Sequence, residues 1–152
     1  MKGIIALTLL LLPGIAAAAL DNQKQLYDIA SEAMAEVDKK NFSAAVEVLR
    51  PHMPLPKHEI DGLIYQIKQQ APTIQERFGA PTGSELVCEQ QIGTALKRIT
   101  WLQKYENHAI LWIFDFYRPR DKWLVNAFSF HDTWQELFKA NCSNRKASQV
   151  MP

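Results

Sequence analysis

Asp115 fits its surroundings least. It is a carboxylate between Ile113 and Tyr117 in a run, Ile110 to Tyr117, that is otherwise hydrocarbon and aromatic rings. In a dry pocket such a carboxyl group holds its proton to higher pH, and beside Tyr117 or His131 it could act as a general base. The alternative is an ion pair with Lys97 or Arg98, and the sequence favours it, because no oxyanion-stabilising set accompanies the carboxylate. Asp115 and His131 are therefore weak candidates, and no catalytic residue is assigned.

The other reactive side chains form no catalytic or metal-binding pattern. His52 and His58 flank a proline-rich stretch, His108 falls in a predicted turn, and His131 ends a strand-like run. His58, Glu59 and Asp61 are close in sequence, but acidic residues there suit the positive end of a helix that begins with them. Ser84, Ser129 and Ser143 lack the setting of an activated nucleophile, and no glycine-rich phosphate loop occurs. No cofactor and no metal are expected. Cys88 and Cys142 are spaced unlike a Cys-x-x-Cys redox pair. A single disulfide between them is the simplest outcome in an oxidising compartment, and two free thiols are the alternative.

The compartment is read from the N-terminus. Met1 and Lys2 precede an uncharged run from Gly3 to Leu20, with Leu9 to Leu12 at its centre and Ala16 to Ala19 before Asp21. This is the layout of a secretion signal, and Pro13 and Gly14 break its apolar helix ahead of the small residues. Cleavage is expected just before Ala19 or Leu20. The alternative is an uncleaved anchor, which the alanine content makes a weak span. The expected organisation is a leader at 1–19, one domain at 20–143 and a solvated tail at 144–152. The mature chain is expected to be periplasmic or secreted, with no membrane contact after cleavage. Without Lys2, the 16 acidic residues are matched in number by basic ones. Such a surface does not suit a nucleic-acid partner, whose phosphates call for a basic face.

The elements that would position these residues follow from periodicity. Leu26, Ile29, Ala30, Ala33 and Val37 line one face of a helix over 25–39, and Asn41 caps a second through Ala45, Val48 and Leu49, ended by Pro51. A third pattern runs from Ile60 to Phe78, and Pro72 is expected to kink or split it. After Gly83 the period changes to two. Strands are expected at 84–92, 96–106, 109–118 and 122–131, joined by connections short enough to force an antiparallel meander. Asp132, with Gln135 three residues on, predicts a short final helix. The fold class is thus α+β, with N-terminal helices on one face of a curved four-stranded meander.

In element order and aromatic spacing, the Tyr105-Glu106-Asn107-His108 hairpin, the Trp112, Phe114, Phe116-Tyr117-Arg118-Pro119 strand and the Trp123 to Phe130 strand ending in His131-Asp132 resemble exported domains of the nuclear-transport-factor-2-like, cystatin-related superfamily. The resemblance implies a cone whose mouth holds a ligand in some members, and a sheet face through which many dimerise. It names no catalytic motif and leaves activity open.

Three-residue turns in the last two hairpins would place Ile110, Trp112, Phe114, Phe116, Leu124, Phe128 and Phe130 on one sheet face. Trp101, Tyr105, Leu111, Ile113, Asp115, Tyr117, Trp123, Val125 and His131 would share the other. Both faces are too apolar for water on one side. Trp101, Tyr105, Trp112, Tyr117 and Trp123 are the residues expected to contact a ligand or partner, since amphipathic rings are characteristic of binding sites. The expected role is a non-catalytic module binding a small molecule or an envelope protein, dimeric in its own right. An isomerase- or hydrolase-type enzyme using Asp115 and His131, and a structural subunit of an envelope complex, are the rival readings.

Overall fold

The first helix, α1 (Gln23–Asp38), buries Leu26, Ile29, Ala30, Ala33, Met34 and Val37 along one stripe, and the Asn22 side chain accepts the Gln25 N–H at its start. Its end is closed by two backbone bonds, Lys40 N–H to the Val37 carbonyl and Asn41 N–H to that of Glu36, with Lys40 at φ 62°. Glycine or asparagine is the residue at ease in such a left-handed cap; here a lysine occupies it. Asn41 then caps α2 (Phe42–Leu49) by accepting the Ala44 N–H, and Arg50–His52 form one 3-10 turn that contains Pro51.

The computed structural model describes residues 17–140 and Cys142. The leader expected up to Ala19 lies outside the described residues as far as residue 16, and the tail expected at 144–152 lies outside them entirely.

Helix α3 (Lys57–Phe78) is continuous through Pro72, which does not split it. Proline has no N–H to offer the Lys68 carbonyl, so the hydrogen-bond ladder is interrupted there while the helix carries on. Gly79 (φ 83°) ends it beside the turn at Glu106-Asn107, where an added Cβ would meet the Glu106 carboxylate. Glu106 accepts the Ala80 N–H through its side chain and gives its own N–H to the Ala80 carbonyl. That junction fixes the end of the helices against the sheet.

Strands β1 (Pro81–Ile92), β2 (Leu96–Tyr105), β3 (Ala109–Tyr117) and β4 (Leu124–His131) form one antiparallel sheet in sequence order, so the α+β meander is as expected. Two features of register change the faces. Lys104 pairs with Ala109 and Tyr105 N–H reaches the His108 carbonyl, so the β2–β3 turn holds two residues, Glu106 and Asn107, and not three. A one-residue difference moves a whole strand's side chains to the other face. Trp101 and Tyr105 consequently face the helices, with Trp101 directly opposite Trp112. On β4, Asp115 pairs with Ala127 but Phe116 with Val125, and the bulge at Asn126 turns Val125 and Trp123 into the core.

The helix side of the sheet is a closed apolar core. Trp112, Phe114, Phe116, Ile99 and Val125 are all but inaccessible, and Trp112 stacks on Phe42 and Phe128. Leu20 adds to it by a two-bond bridge to Trp123 along the edge of β4.

One polar residue lies deep in this interface. Gln103 is 1 % exposed; its Oε1 accepts from Trp112 Nε1 at 2.8 Å and Tyr105 Oη at 2.9 Å, and its Nε2 donates to the Val37 carbonyl and Asp38 Oδ1. Ser84 Oγ donates to the other Asp38 oxygen at 2.6 Å, so the set joins α1 to β1, β2 and β3.

The other side of the sheet is crossed by a strap. After β4, the expected short final helix is a 3-10 turn at Trp134–Phe138; Thr133 at its start makes no capping bond, and Asp132, the expected cap, lies 3.9 Å from Arg77. The chain then reaches Cys142, bonded to Cys88 on β1. The strap thus runs from one edge strand to the opposite one. Leu111 and Thr100, on the face away from the helices, are 2 % and 3 % exposed.

Replacing Gln103 with Leu is expected to destabilise the fold by about 2 kcal/mol, because the Trp112 N–H and Asp38 lose a buried partner together. Urea unfolding would detect it, and a change within about 0.5 kcal/mol would show that the hub is dispensable.

Candidate functional site

The five aromatics expected to meet a ligand or partner are not brought together. Trp112 and Trp123 are core residues, 1 % and 2 % exposed, and Arg118 covers the Trp123 ring at 5.0 Å. Trp101 is half-buried on the helix side, its indole N–H buried without an acceptor. Tyr105 is half-buried on the same side. Tyr117 alone lies on the sheet face away from the helices and is open to solvent, 40 % exposed.

Asp115 forms a two-point ion pair with Arg98, Nε to Oδ1 at 2.6 Å and Nη2 to Oδ2 at 2.8 Å. The hydrogen bonds to Asp115 hold the guanidinium above its ordinary pKa. His131 pairs with Leu111, four residues from Asp115 along β3, a separation of about 13 Å at the strand rise. Its Nδ1 lies 2.6 Å from Thr133 Oγ1. The two candidates for acid–base chemistry share a face, but they do not converge on any common point. Among the described residues no group of three or more His, Cys, Asp or Glu could hold a metal ion.

What the sheet does present on its strap side is a row of side chains at the end remote from the β2–β3 turn. Ile92, Leu96, Tyr117 and Leu124 are consecutive neighbours across all four strands. Ile92 is 72 % exposed and Leu96 43 %. Phe138, on the strap, is also open. The Arg98–Asp115 pair forms the next row, so the apolar strip is bordered by both signs of charge. The sequence carries a signal for this strip: Ile92 and Leu96 flank the Gly93-Thr94-Ala95 turn, where polar residues are usual.

A second feature lies on the helix side. A cleft of about 690 Å³ opens between the α1–α2 junction, α3 and the start of β1. Phe42, Ala71, Pro72, Ile74, Pro81 and Tyr105 give it apolar walls, and Lys40, Lys68, Gln75 and Glu76 line its polar parts. Lys40 Nζ donates to Gln75 Oε1 at 3.2 Å across the gap. Burial, with the nearby Asp38 carboxylate, pushes the Tyr105 hydroxyl up to about 12. The phenol is therefore a neutral donor, engaged inward on Gln103, with its ring as a wall.

Two charge clusters elsewhere serve the fold. Arg50 binds Glu47 and Asp61, and Lys57 binds Asp61. The Arg50 hydrogen bond lowers Glu47, and those of Lys57 and Arg50 lower Asp61. Their contribution is present above the ordinary carboxylate range and lost as pH falls through the lowered values. Lys97 lies 3.3 Å from Glu89 in a nearly inaccessible pair, and Lys97 also stands over the Tyr27 ring, whose hydroxyl bonds Glu89. The sequence offered Lys97 as a partner for Asp115; register places it on the helix side, and Arg98 takes that role.

Compared with known proteins, the chain matches no family model, no curated protein and no solved structure.

The raised Tyr105 value fixes a sign. A phenol held above its unfolded value of about 10 contributes stability below that pH and loses it as pH climbs toward 12. After allowance for solvent screening, the wild type is expected to lose about 1 kcal/mol more than Tyr105→Phe between pH 9.5 and 11.5. Urea unfolding at the two pH values measures the difference; parallel losses in the two proteins would contradict it.

Proposed function

We propose that this chain is an exported, non-catalytic recognition module that associates with a second copy of itself through the strap side of its sheet. The observation that carries the reading is the row Ile92, Leu96, Tyr117: three of the five exposed large hydrophobics among the described residues stand side by side. Scattered surface hydrophobics are ordinary, whereas a contiguous strip marks an interaction surface. The bordering charges suit self-association, since a two-fold axis parallel to the strands and passing between β2 and β3 would set Arg98 of each copy toward Asp115 of the other.

Export is supported by the apolar leader and by the bonded cysteines, which persist in oxidising compartments. Among the described residues, no helix is long and apolar enough to cross a membrane. A place near the nuclear-transport-factor-2-like domains is supported by the order of helices and meander. An ion-paired Asp115, distant from His131, leaves the isomerase or hydrolase reading without a site.

The mature protein is expected to run as a dimer in size-exclusion chromatography with light scattering at about 50 μM, and Ile92→Asp/Leu96→Asp as a folded monomer. A wild-type monomer at that concentration, or a variant that still dimerises, would overturn the reading.

A further inference from the structure

The helix-side cleft makes a claim of its own, independent of the strap-side surface. We propose that it binds a small amphipathic monocarboxylate, the apolar body lying against Phe42 and Tyr105 and the carboxylate meeting the Lys68 ammonium.

The volume comes first. About 690 Å³ falls within the range of small-molecule sites, and the walls combine a mostly apolar surface with a few polar groups, as such sites do. Those walls are rigid. Phe42 is stacked on the buried Trp112, and Tyr105 is held by its hydroxyl on Gln103 with its ring edge against Phe78. A ligand ring or chain therefore meets surfaces that need no reordering.

The charges select the ligand's class. Lys68 has no ion pair among the described residues, while Lys57, at the start of the same helix, binds Asp61. Glu76 follows Lys68 by two turns on the same wall, about 12 Å along the axis. An anion is thus attracted at one end and repelled at the other. That pattern suits a single carboxylate with an uncharged body, and it disfavours a dicarboxylate.

Lys40 supplies a second, separate observation. It keeps a left-handed backbone where glycine would relieve strain, and its ammonium bridges the cleft to Gln75. Capping α1 does not require a lysine there, since the cap is made by backbone bonds alone. A side chain retained in a costly conformation and stretched over a cleft is explained if it closes the site and adds positive potential to it. Pro72 belongs to the same wall.

The test uses the mature disulfide-bonded protein and three isosteric probes: 4-phenylbutyrate, its amide, and 4-phenylbutylamine, followed by calorimetry and by amide shifts in NMR. The carboxylate is expected to bind saturably at one site, about tenfold more tightly than either counterpart. Lys68→Gln should weaken it about fivefold, and Ala71→Phe, which fills the cleft, should abolish it. Lys40→Gly should weaken binding about threefold in a protein at least as stable as wild type, which separates the ligand role from a structural one. Absence of saturable binding below about 5 mM would overturn the proposal. So would equal or tighter binding of the amine, which would make Glu76 the anchor, or undiminished binding by Lys68→Gln.

Discussion

A four-stranded sheet with two apolar faces has to be covered twice, and the helices among the described residues cover one face only. The Cys88–Cys142 bond supplies part of the second. It closes a loop of 54 residues in sequence, a constraint worth about 4 kcal/mol in chain entropy, and it holds the segment after β4 across the sheet to the opposite edge. A strap of about ten residues without an α-helix cannot bury a whole face. On that face Leu111 and Thr100 are buried, whereas Ile92, Leu96 and Tyr117 are exposed. The same economy that lets a small domain stand on one crosslink leaves an apolar strip in water.

The helix side is organised by a different constraint. Burying a glutamine and a tryptophan N–H between helix and sheet is tolerable only if each group is partnered, and Gln103 joins α1, β2 and β3 through its bonds to Val37, the half-buried Asp38, Tyr105 and Trp112. This set fixes the register of α1 on the sheet, and with it the place where α1 ends and Lys40 turns. The cleft between that turn and α3 is thus a by-product of helix placement, and its rigid rings and spread charges give it chemical character.

The fold was legible in the sequence because periodicity reports on it directly: apolar spacing near four up to Phe78, near two after Gly83, and connections too short for anything but hairpins. The faces were legible in part. Leu111, Ile113, Asp115 and Tyr117 lie on the side away from the helices as the alternation of β3 indicates, and His131 at the end of β4 joins them, whereas β2 is reversed and β4 is shifted at its start. Both errors come from one-residue features, the two-residue turn at Glu106-Asn107 and the bulge at Asn126, which hydrophobic pattern does not encode. Trp101 and Tyr105 were misplaced for that reason alone. Lys40 and Lys68 left no readable signal, since a lysine at a helix end is ordinary until its backbone and its neighbours across space are known.

The central claim, that the strip at the sheet's strap side is a self-recognition surface, can be read by photo-crosslinking. A benzoylphenylalanine placed at Tyr117 lies in the strip, and one at Tyr65, 64 % exposed on α3, lies away from it. A covalent dimer is expected from position 117, lost when Ile92 and Leu96 are both replaced by aspartate, and none is expected from position 65. Dimers from position 65 alone, or none from position 117, would contradict it.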